Sequence, residues 1–227
     1  MNFDFNGFSQ ISEPSSVNYL KPWTITEKVS FKEVSEPITG KTKDGGEWKA
    51  WDFVFESPEG IYSERIFEPT TTERGQYNGK ELPTDFERSQ QFVVQVLAAY
   101  NPKGLDKLRT LTATGKIKSF EQFIAAVKKL LENTTATVKL KLQGRKTTSA
   151  DGTSRWYAKL PNASIGQDGK VFMSKFIGET VPDFNSWELS QKKQYDEGAP
   201  SNPEITAPIK ANDIDTSSDD DIDFSDL

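Results

Sequence analysis

The chain has 227 residues, contains no His and no Cys, and carries 28 Lys and Arg against 34 Asp and Glu, a net charge of −6. The lack of His and Cys excludes disulfide bonds, thiolate metal sites, Ser-His-Asp triads and Cys or His nucleophiles. Apolar residues make up 34% of the chain and aromatic residues 11%, which predicts a packed domain joined to a polar tail.

The sequence gives no indication of a membrane protein. It has no run of about 18 apolar residues, the length that a membrane-spanning helix needs. Residues 1–5, Met-Asn-Phe-Asp-Phe, lack the basic start and apolar stretch of a secretory signal. Because the chain also lacks Cys, we expect a cytoplasmic protein with no membrane partner.

The first part of the chain is predicted to form strands. Residues 1–18 contain several Gly, Ser and Pro and are expected to be a weakly ordered N-terminal arm. A first strand is predicted over residues 23–34, where alternation places Trp23, Ile25, Val29 and Phe31 on one face. Turn-rich segments separate it from two further predicted strands, 48–55 and 61–67.

The hydrophobic period changes at residue 85. Spacing of three and four residues predicts a helix from Asp85 to Tyr100, ended by Pro102 and Gly104. A short helix is predicted near 105–111, and a longer one after Ser119, a typical N-cap residue. Alternation then returns and predicts a hairpin of strands 136–145 and 155–160, followed by a strand over 171–177.

Three strands, a helical insert over residues 85–132 and a hairpin form the element order of the five-stranded OB barrel. We therefore predict a mainly β fold with inserted helices, an OB-fold-like five-stranded barrel that spans residues 19–180. Many α+β domains share this element order, so the order alone leaves them open as alternatives.

The predicted hairpin carries its charged residues on one side. Val138, Leu140 and Leu142 alternate with basic residues, so the outer face should be basic and bear an aromatic ring. That face is expected to display Lys139, Lys141, Arg145, Arg155, Tyr157 and Lys159, with Lys146 in the adjoining loop. An ordinary solvated face is the alternative, although the two strands place no carboxylate on that side.

A protein that holds single-stranded nucleic acid needs cations along a groove and flat side chains on which bases can stack. Around the first long loop, three lysines add to the cations of the hairpin: Lys41, Lys43 and Lys49. The candidate stacking residues are Trp48, Tyr62 and Tyr157, and packing in the core is the alternative for each. We expect these cations and rings to line one groove.

Charge is segregated along the chain. Residues 103–175 contain 15 basic and 5 acidic residues, a net charge of +10. Residues 196–227 contain 10 acidic residues and 1 basic residue, a net charge of −9. A basic central region of this kind predicts a polyanionic partner.

The end of the chain is predicted to be disordered. Residues 181–212 are expected to be a linker and residues 213–227 an acidic tail, because apolar groups are too few to offset the entropy of ordering. Two interpretations of the tail are open. It is either a solvating segment, or a linear motif that inserts Ile222, Phe224 and Leu227 into pockets while its aspartates contact a basic rim.

Residues 217–224, Ser-Ser-Asp-Asp-Asp-Ile-Asp-Phe, resemble the acidic C-terminal tip of bacterial single-stranded DNA-binding proteins. Phage-encoded replication proteins that bind single-stranded DNA similarly join an OB domain to an acidic tail. The bacterial pattern ends on Pro-Phe, whereas this chain continues through Ser225 and Asp226 to Leu227. The resemblance implies a partner-docking tip formed by Asp219, Asp220, Asp221, Ile222, Asp223 and Phe224.

The resemblance implies a non-enzymatic protein that coats and protects single-stranded DNA in replication, recombination and repair, with little sequence preference. It also implies a tail that competes with DNA for the basic groove and recruits a polymerase, a helicase or recombination proteins. If the chain is phage-encoded, the compartment is the host cytoplasm.

The alternative is a non-enzymatic interaction protein whose acidic tail acts as a docking peptide or DNA mimic. The sequence contains no P-loop and no pair of carboxylates in an identifiable apolar pocket. We therefore expect no catalytic residues, no metal site and no cofactor. The choice between DNA and RNA, and self-association into a homo-oligomer, are left open.

Overall fold

The computed structural model describes most of the chain between residues 18 and 198. The described residues are 18–42, 44–70, 73, 76–77, 80–81, 84–148, 152, 154–161, 163–165 and 171–198. The expected N-terminal arm up to residue 17, Lys43 and the acidic tail 213–227 lie outside the described residues.

Strands dominate the chain up to residue 81. They are β1 (Thr24–Val34), β2 (Ile38–Lys41), β3 (Glu47–Ser57), β4 (Gly60–Phe67), β5 (Gln76–Tyr77) and β6 (Lys80–Glu81). The three long strands that the alternating pattern predicts are confirmed as β1, β3 and β4.

Three helices follow as an insert: α1 (Asp85–Tyr100), α2 (Pro102–Ala113) and α3 (Phe120–Leu131). α1 begins with a capping box in which Thr84 and Glu87 bond each other's backbone N–H groups. Pro102 at the first position of α2 separates it from α1. Ser119 caps α3 as predicted, accepting from the Gln122 backbone N–H at 3.1 Å.

The rest of the described chain forms five strands and a helix. They are β7 (Thr137–Thr148), β8 (Ser154–Lys159), β9 (Ala163–Ile165), β10 (Val171–Met173), β11 (Ile177–Gly178) and α4 (Ser186–Gly198). The predicted hairpin is confirmed as β7 and β8, which pair antiparallel. α4 occupies part of the segment expected to be a linker, and nothing in its weakly amphipathic sequence predicted it.

Seven strands form one antiparallel sheet in the order β11, β7, β1, β3, β2, with β4 on β3 and β8 on β7. Closure into a barrel would require the outer edges of the sheet to pair with each other. No ladder joins β4 to β8 or β11 in the described part of the chain, so the sheet is not closed. The mainly β prediction with inserted helices is confirmed, and the five-stranded barrel is not.

The core lies between the sheet and the helical insert. Phe53 and Phe55 on β3 are fully buried, and the Phe53 ring meets Phe92 of α1 edge to face, with centroids 5.0 Å apart. The Tyr100 hydroxyl, also on α1, donates to the Val29 carbonyl at 3.0 Å. The apolar stripes that predicted α1 and α3 therefore face the sheet. No described helix is both long and apolar enough to cross a membrane.

β1 changes face partway along its length. Its register against β7 shifts between Thr26 and Val29, and Lys28 inside the shift has a φ of 55°. This β-bulge turns Ile25, which pairs with Lys141, to the side of the sheet opposite Val29, which pairs with Val138. The prediction that the apolar residues of this strand share one face is therefore wrong, because an added residue inverts the alternation.

Candidate nucleic-acid interface

The β7–β8 hairpin brings four of the predicted residues onto one face. In an antiparallel pair, directly opposed residues lie on the same side of the sheet. The opposed pairs Arg145 with Tyr157, Thr147 with Arg155, and Gln143 with Lys159 therefore define one surface, which we call the hairpin face. Arg145 and Arg155 are exposed, whereas Tyr157 and Lys159 are half-buried.

Lys146 lies away from this surface. It is directly opposite Trp156 and shares the other side of the hairpin with it. The Trp156 ring meets Trp23 with centroids 6.3 Å apart and Tyr195 of α4 with centroids 5.7 Å apart. Lys146 itself is exposed, so the structure separates it from Arg145 and Arg155 while leaving it accessible.

Lys139 and Lys141 differ from the expectation of an open basic face. Lys139 forms an ion pair with Glu27 of β1 at 2.7 Å, and this hydrogen bond lowers the pKa of Glu27. The Lys141 side chain is only 3% exposed and forms an ion pair with Glu188 of α4 at 2.9 Å. The expected exposure of Lys141 is thus corrected, because α4 covers this part of the sheet.

Glu188 joins α4 to the sheet through a buried polar network. Its carboxylate accepts from the Lys141 ammonium, from the Gln143 side-chain amide at 2.7 Å and from the Asn185 backbone N–H at 2.7 Å. Lys141 also donates to the Asp183 carbonyl at 3.1 Å. The carboxylate and the ammonium each have more than one hydrogen-bond partner, which is the condition under which a buried ion pair is tolerated. The Gln143 side-chain oxygen is buried in the same network without a partner among the described residues.

Aromatic rings complete the attachment of α4. Trp23, which is 1% exposed, contacts Phe184 and Trp187 with ring centroids 6.2 Å away in both cases. The Lys141 ammonium lies 4.9 Å from the Phe184 ring centroid. Trp23 is therefore buried as predicted, although in this second cluster and not in the core beneath the helical insert.

The first long loop forms a different surface around Trp48. The Trp48 ring packs on Gly40, where a Cβ would overlap it, and meets Phe67 with centroids 5.6 Å apart. Lys41 lies with them along a groove of about 530 Å³. Lys49 also borders the groove but is ion-paired with Glu121 at 3.0 Å. We call this the Trp48 surface.

Phe67 belongs to the Trp48 surface and was missed by the sequence reasoning. It is 42% exposed. It lies on β4 directly opposite Ala50, which follows Trp48 by two residues on the neighbouring strand β3. As the last residue of a predicted strand it had no distinguishing pattern. Only its exposure beside a second aromatic ring identifies it as a candidate contact.

The two surfaces lie at opposite ends of the paired strands. β1 pairs with β3 and β7 along its length. Past the C-terminal end of β1, the first residues of β3 pair with β2. Past the N-terminal end of β1, residues 143–148 of β7 pair with β8. The structure therefore divides the predicted cations and rings between two surfaces. The expectation that they line one groove is corrected in this respect.

Tyr62 is buried rather than available for stacking. It is 6% exposed, and its ring stacks on Phe55 with centroids 6.3 Å apart. Its hydroxyl donates to Glu64, and the Leu160 backbone N–H donates to the hydroxyl oxygen. Burial raises the pKa of Tyr62 well above its ordinary value. We therefore withdraw Tyr62 as a stacking residue in this conformation.

Glu64 was not among the predicted site residues, because nothing in the alternating pattern of its strand distinguishes it from an ordinary exposed glutamate. It lies directly opposite Phe53, on the core side of β4. Burial raises its pKa to about 7, while the Tyr62 hydrogen bond and the Lys159 charge oppose that rise. A carboxyl whose pKa is raised to near neutrality is therefore held on the core side of β4, where it accepts a hydrogen bond from Tyr62.

The predicted tail tip lies outside the described residues, but the point where the chain leaves them is informative. α4 ends at Gly198, and Tyr195 in its last turn contacts Trp156 of the hairpin. The end of α4 therefore lies close to β8.

Within the described ranges, no group of three or more Asp and Glu side chains is placed to hold a metal ion. Comparison of the chain with protein-family models, with curated proteins and with solved structures finds no match in any of the three.

Proposed function

We propose that the protein binds single-stranded DNA without catalysing a reaction, coats and protects exposed strands, and acts in the cytoplasm during replication, recombination and repair. The observation that carries this proposal is the hairpin face. Tyr157 lies between Arg155 and Lys159 along β8 and directly opposite Arg145 on β7. Cations displace the counterions of the phosphates, and a ring between them offers a base a surface for stacking.

The fold supports this proposal through its connections. β1 pairs with both β3 and β7, the first long strands form a meander, and α1, α2 and α3 come between β4 and β7 in the chain. We propose that the sheet is an opened variant of the OB barrel, a fold that often binds oligonucleotides. The missing ladder between β4 and β8 is the feature in which it departs from that barrel.

The Trp48 surface is a second candidate contact for the same strand. Trp48 and Phe67 supply two rings, and Lys41 supplies an exposed cation beside them. Lys43 follows in the sequence and adds a further positive charge. A strand that contacts both surfaces would run along the length of the sheet.

We propose that the acidic tail docks partner proteins and competes with DNA. Its residues 213–227 carry 7 Asp and no basic residue. The last described helix before them, α4, contacts the hairpin at Trp156. Tethering raises the local concentration of the tail, so even a weak contact with Arg145 and Arg155 can compete with a strand. Partner docking would use Ile222, Phe224 and Leu227 with the neighbouring aspartates.

The deciding experiment is a fluorescence titration with oligo(dT) at several salt concentrations. We expect saturable binding with a steep negative slope of log K against log salt. Tyr157→Ala should weaken binding by about 1–3 kcal/mol, the range for one stacked base. Arg155→Ala should reduce the magnitude of the salt slope by about 0.7, the value for one phosphate contact on a single strand.

Lys129→Ala is the matched control, because Lys129 is an exposed cation on α3, away from the hairpin. It removes one positive charge, as Arg155→Ala does, and should leave the affinity and the salt slope nearly unchanged. Equal effects of the two variants would mean that overall charge and not the hairpin face determines binding. A wild-type protein that does not respond to oligo(dT) would refute the proposal.

A second candidate is an interaction protein whose tail is a docking peptide or DNA mimic. The observation that favours it is the ion pairing of three expected cations, Lys49, Lys139 and Lys141. On this view the remaining basic residues are incidental. The titration separates the two candidates, because this one predicts no response to oligo(dT).

A further inference from the structure

α4 covers the continuation of the hairpin face along β7. The Glu188 carboxylate accepts from the Lys141 ammonium at 2.9 Å and from the Gln143 side-chain amide at 2.7 Å, so these two residues lie on one side of β7. Gln143 is directly opposite Lys159, which belongs to the hairpin face. Without α4, the hairpin face would therefore extend from Arg145 through Gln143 to Lys141.

The groups that α4 places on this surface are chemically similar to those of a nucleotide. A carboxylate, like a phosphate, presents negatively charged oxygen acceptors to a lysine ammonium and an amide N–H group. Two rings flank this anion: Phe184, whose centroid is 4.9 Å from the Lys141 ammonium, and Trp187. Both rings meet Trp23 edge to face, with centroids 6.2 Å away. A single strand offers the same two kinds of group, an anion and flat rings.

α4 is attached to the sheet without a wide apolar stripe. Glu188 is the buried residue among its thirteen, whereas Trp187 and Leu189 are 44% and 53% exposed. Helices in proteins are stabilised mainly by an apolar face that packs on the rest of the fold. A helix held by a few polar and ring contacts is therefore expected to separate from the sheet at a lower cost than α1 or α3.

Two polar atoms at this attachment are buried without a hydrogen-bond partner among the described residues. They are the side-chain oxygen of Gln143, a residue that is 6% exposed, and the indole nitrogen of Trp23, which is 1% exposed. An unpaired buried polar group lowers stability. Glu188 thus satisfies the amide N–H of Gln143 but not its oxygen. Separation of α4 would give that oxygen access to water and remove the cost.

We propose that Lys141 and Gln143 form a phosphate-binding position of the hairpin face, which Glu188 occupies in the protein without DNA and which a bound strand takes over by displacing α4. This inference rests on the proposed function and deepens it. It makes α4 an internal competitor of the strand that lies within the described part of the chain and is separate from the acidic tail.

The displacement exchanges one anion for another. Lys141 has a negatively charged partner in both states, so the exchange does not leave a buried cation unpaired. The Glu188 carboxylate moves into water, which solvates a free carboxylate well. Lys141 and Arg145 are four residues apart on β7, which corresponds to about 13 Å along the strand. One single strand that follows β7 can therefore contact both cations.

The test is a titration of the full chain with oligo(dT), combined with hydrogen–deuterium exchange of α4. Bound oligo(dT) should increase amide exchange in α4, because the helix loses its attachment. Glu188→Gln removes the anion that competes for Lys141 and should bind at least about fivefold more tightly than wild type at low salt, the lower end of typical coupling between sites. The magnitude of its salt slope should exceed that of wild type by about 0.7, because Lys141 then releases a counterion when it binds a phosphate.

Glu197→Gln is the matched control. It makes the same change of charge on the same helix, but the Glu197 side chain is 64% exposed and pairs with Lys193 at 3.7 Å, away from the sheet. Its affinity and salt slope should stay close to those of wild type. An equal gain in affinity in Glu197→Gln and Glu188→Gln would mean that the net charge of α4 weakens binding, and it would overturn the inference.

Trp187→Ala gives a second variant in case Glu188→Gln folds poorly. It removes the ring contact with Trp23 and keeps the ion pair between Lys141 and Glu188. Because it loosens the attachment of α4, it should also tighten oligo(dT) binding. Leu189→Ala shortens a side chain that is 53% exposed on the same helix, and it should match wild type.

The possible outcomes separate this inference from the proposed function. If wild type binds oligo(dT) while amide exchange in α4 stays unchanged or slows, displacement is refuted and the proposed function stands. Unchanged affinity in both Glu188→Gln and Trp187→Ala has the same meaning. If wild type and both variants fail to bind oligo(dT), the proposed function fails and this inference fails with it.

Discussion

Glu64→Gln should make the stability of the protein less dependent on pH even without DNA. Burial raises the pKa of Glu64 to about 7 from an ordinary value of 4.5. The folded state then holds more protons than the unfolded chain between these two values. The contribution of Glu64 to stability should therefore be greatest below pH 4.5, fall as the pH rises through 7, and level off above it.

The size of the effect follows from the change in pKa. One unit corresponds to about 1.4 kcal/mol, so the full shift of Glu64 sets an upper limit of about 3 kcal/mol. Because Glu64 is only half-buried, we expect about 1–3 kcal/mol. Gln stays neutral, as protonated Glu is, and still accepts the Tyr62 hydrogen bond.

Urea unfolding between pH 5 and pH 8, followed by far-ultraviolet circular dichroism, measures this difference. The free energy of unfolding of Glu64→Gln minus that of wild type should rise across this range by about 1–3 kcal/mol. Glu59→Gln, which removes a charge from the exposed turn before β4, is the control and should show a constant difference from wild type. A difference for Glu64→Gln that does not change with pH would refute the reasoning.

Three further changes test other parts of the structure. Lys141→Met leaves the Glu188 carboxylate buried without its cation, which should lower the free energy of unfolding by about 3–5 kcal/mol in urea titrations. Gly144→Ala places a Cβ against the Trp23 ring, and the resulting strain should cost about 1–3 kcal/mol in the same assay. Deletion of residues 213–227 should tighten oligo(dT) binding, most strongly at low salt, in fluorescence titrations.

Each of these changes has a control or an outcome that contradicts it. Lys193→Met, at an exposed ion pair on α4, should change stability by no more than about 0.5 kcal/mol. Gly198→Ala, where a Cβ meets no other atom within 4 Å, is the control for Gly144→Ala. If Lys141→Met and Lys193→Met lower the free energy of unfolding equally, the ion pair of Lys141 with Glu188 does not stabilise the fold. If Gly144→Ala and Gly198→Ala do so equally, the close contact of Gly144 with Trp23 has no effect on stability. Unchanged or weaker DNA binding by the truncated chain would count against competition by the tail.

The local spacing of apolar residues was sufficient to predict a strand or helix wherever that element buries one continuous face. Alternation identified β3, and spacing of three and four identified α3 after its cap Ser119. The hairpin partners Arg145 and Tyr157 were also predicted to share a face, because both strands keep their alternation without a bulge. These strands, this helix and this shared face depend on residues that are close together in the chain, so they can be predicted from the sequence.

Local pattern was insufficient where a distant segment changed the surroundings of a residue. The bulge at Lys28 inverted the face of Ile25 relative to Val29, since one added residue reverses the alternation of side chains along the strand. α4 was not foreseen, because it is held by a few specific contacts with the sheet and lacks a wide apolar stripe. Glu188 lies 47 residues from Lys141 in the chain, and no local pattern relates the two.

The sequence alone determined how much charge each part of the chain carries: a basic region over residues 103–175 and an acidic end over residues 196–227. Only the tertiary structure decided which of those charges face solvent. Lys141 is neutralised inside the protein and Lys139 is paired at its surface, while Arg145 and Arg155 extend from the hairpin. The physical reason is that a charge count is a sum over residues, whereas the availability of a cation depends on carboxylates that folding brings close to it.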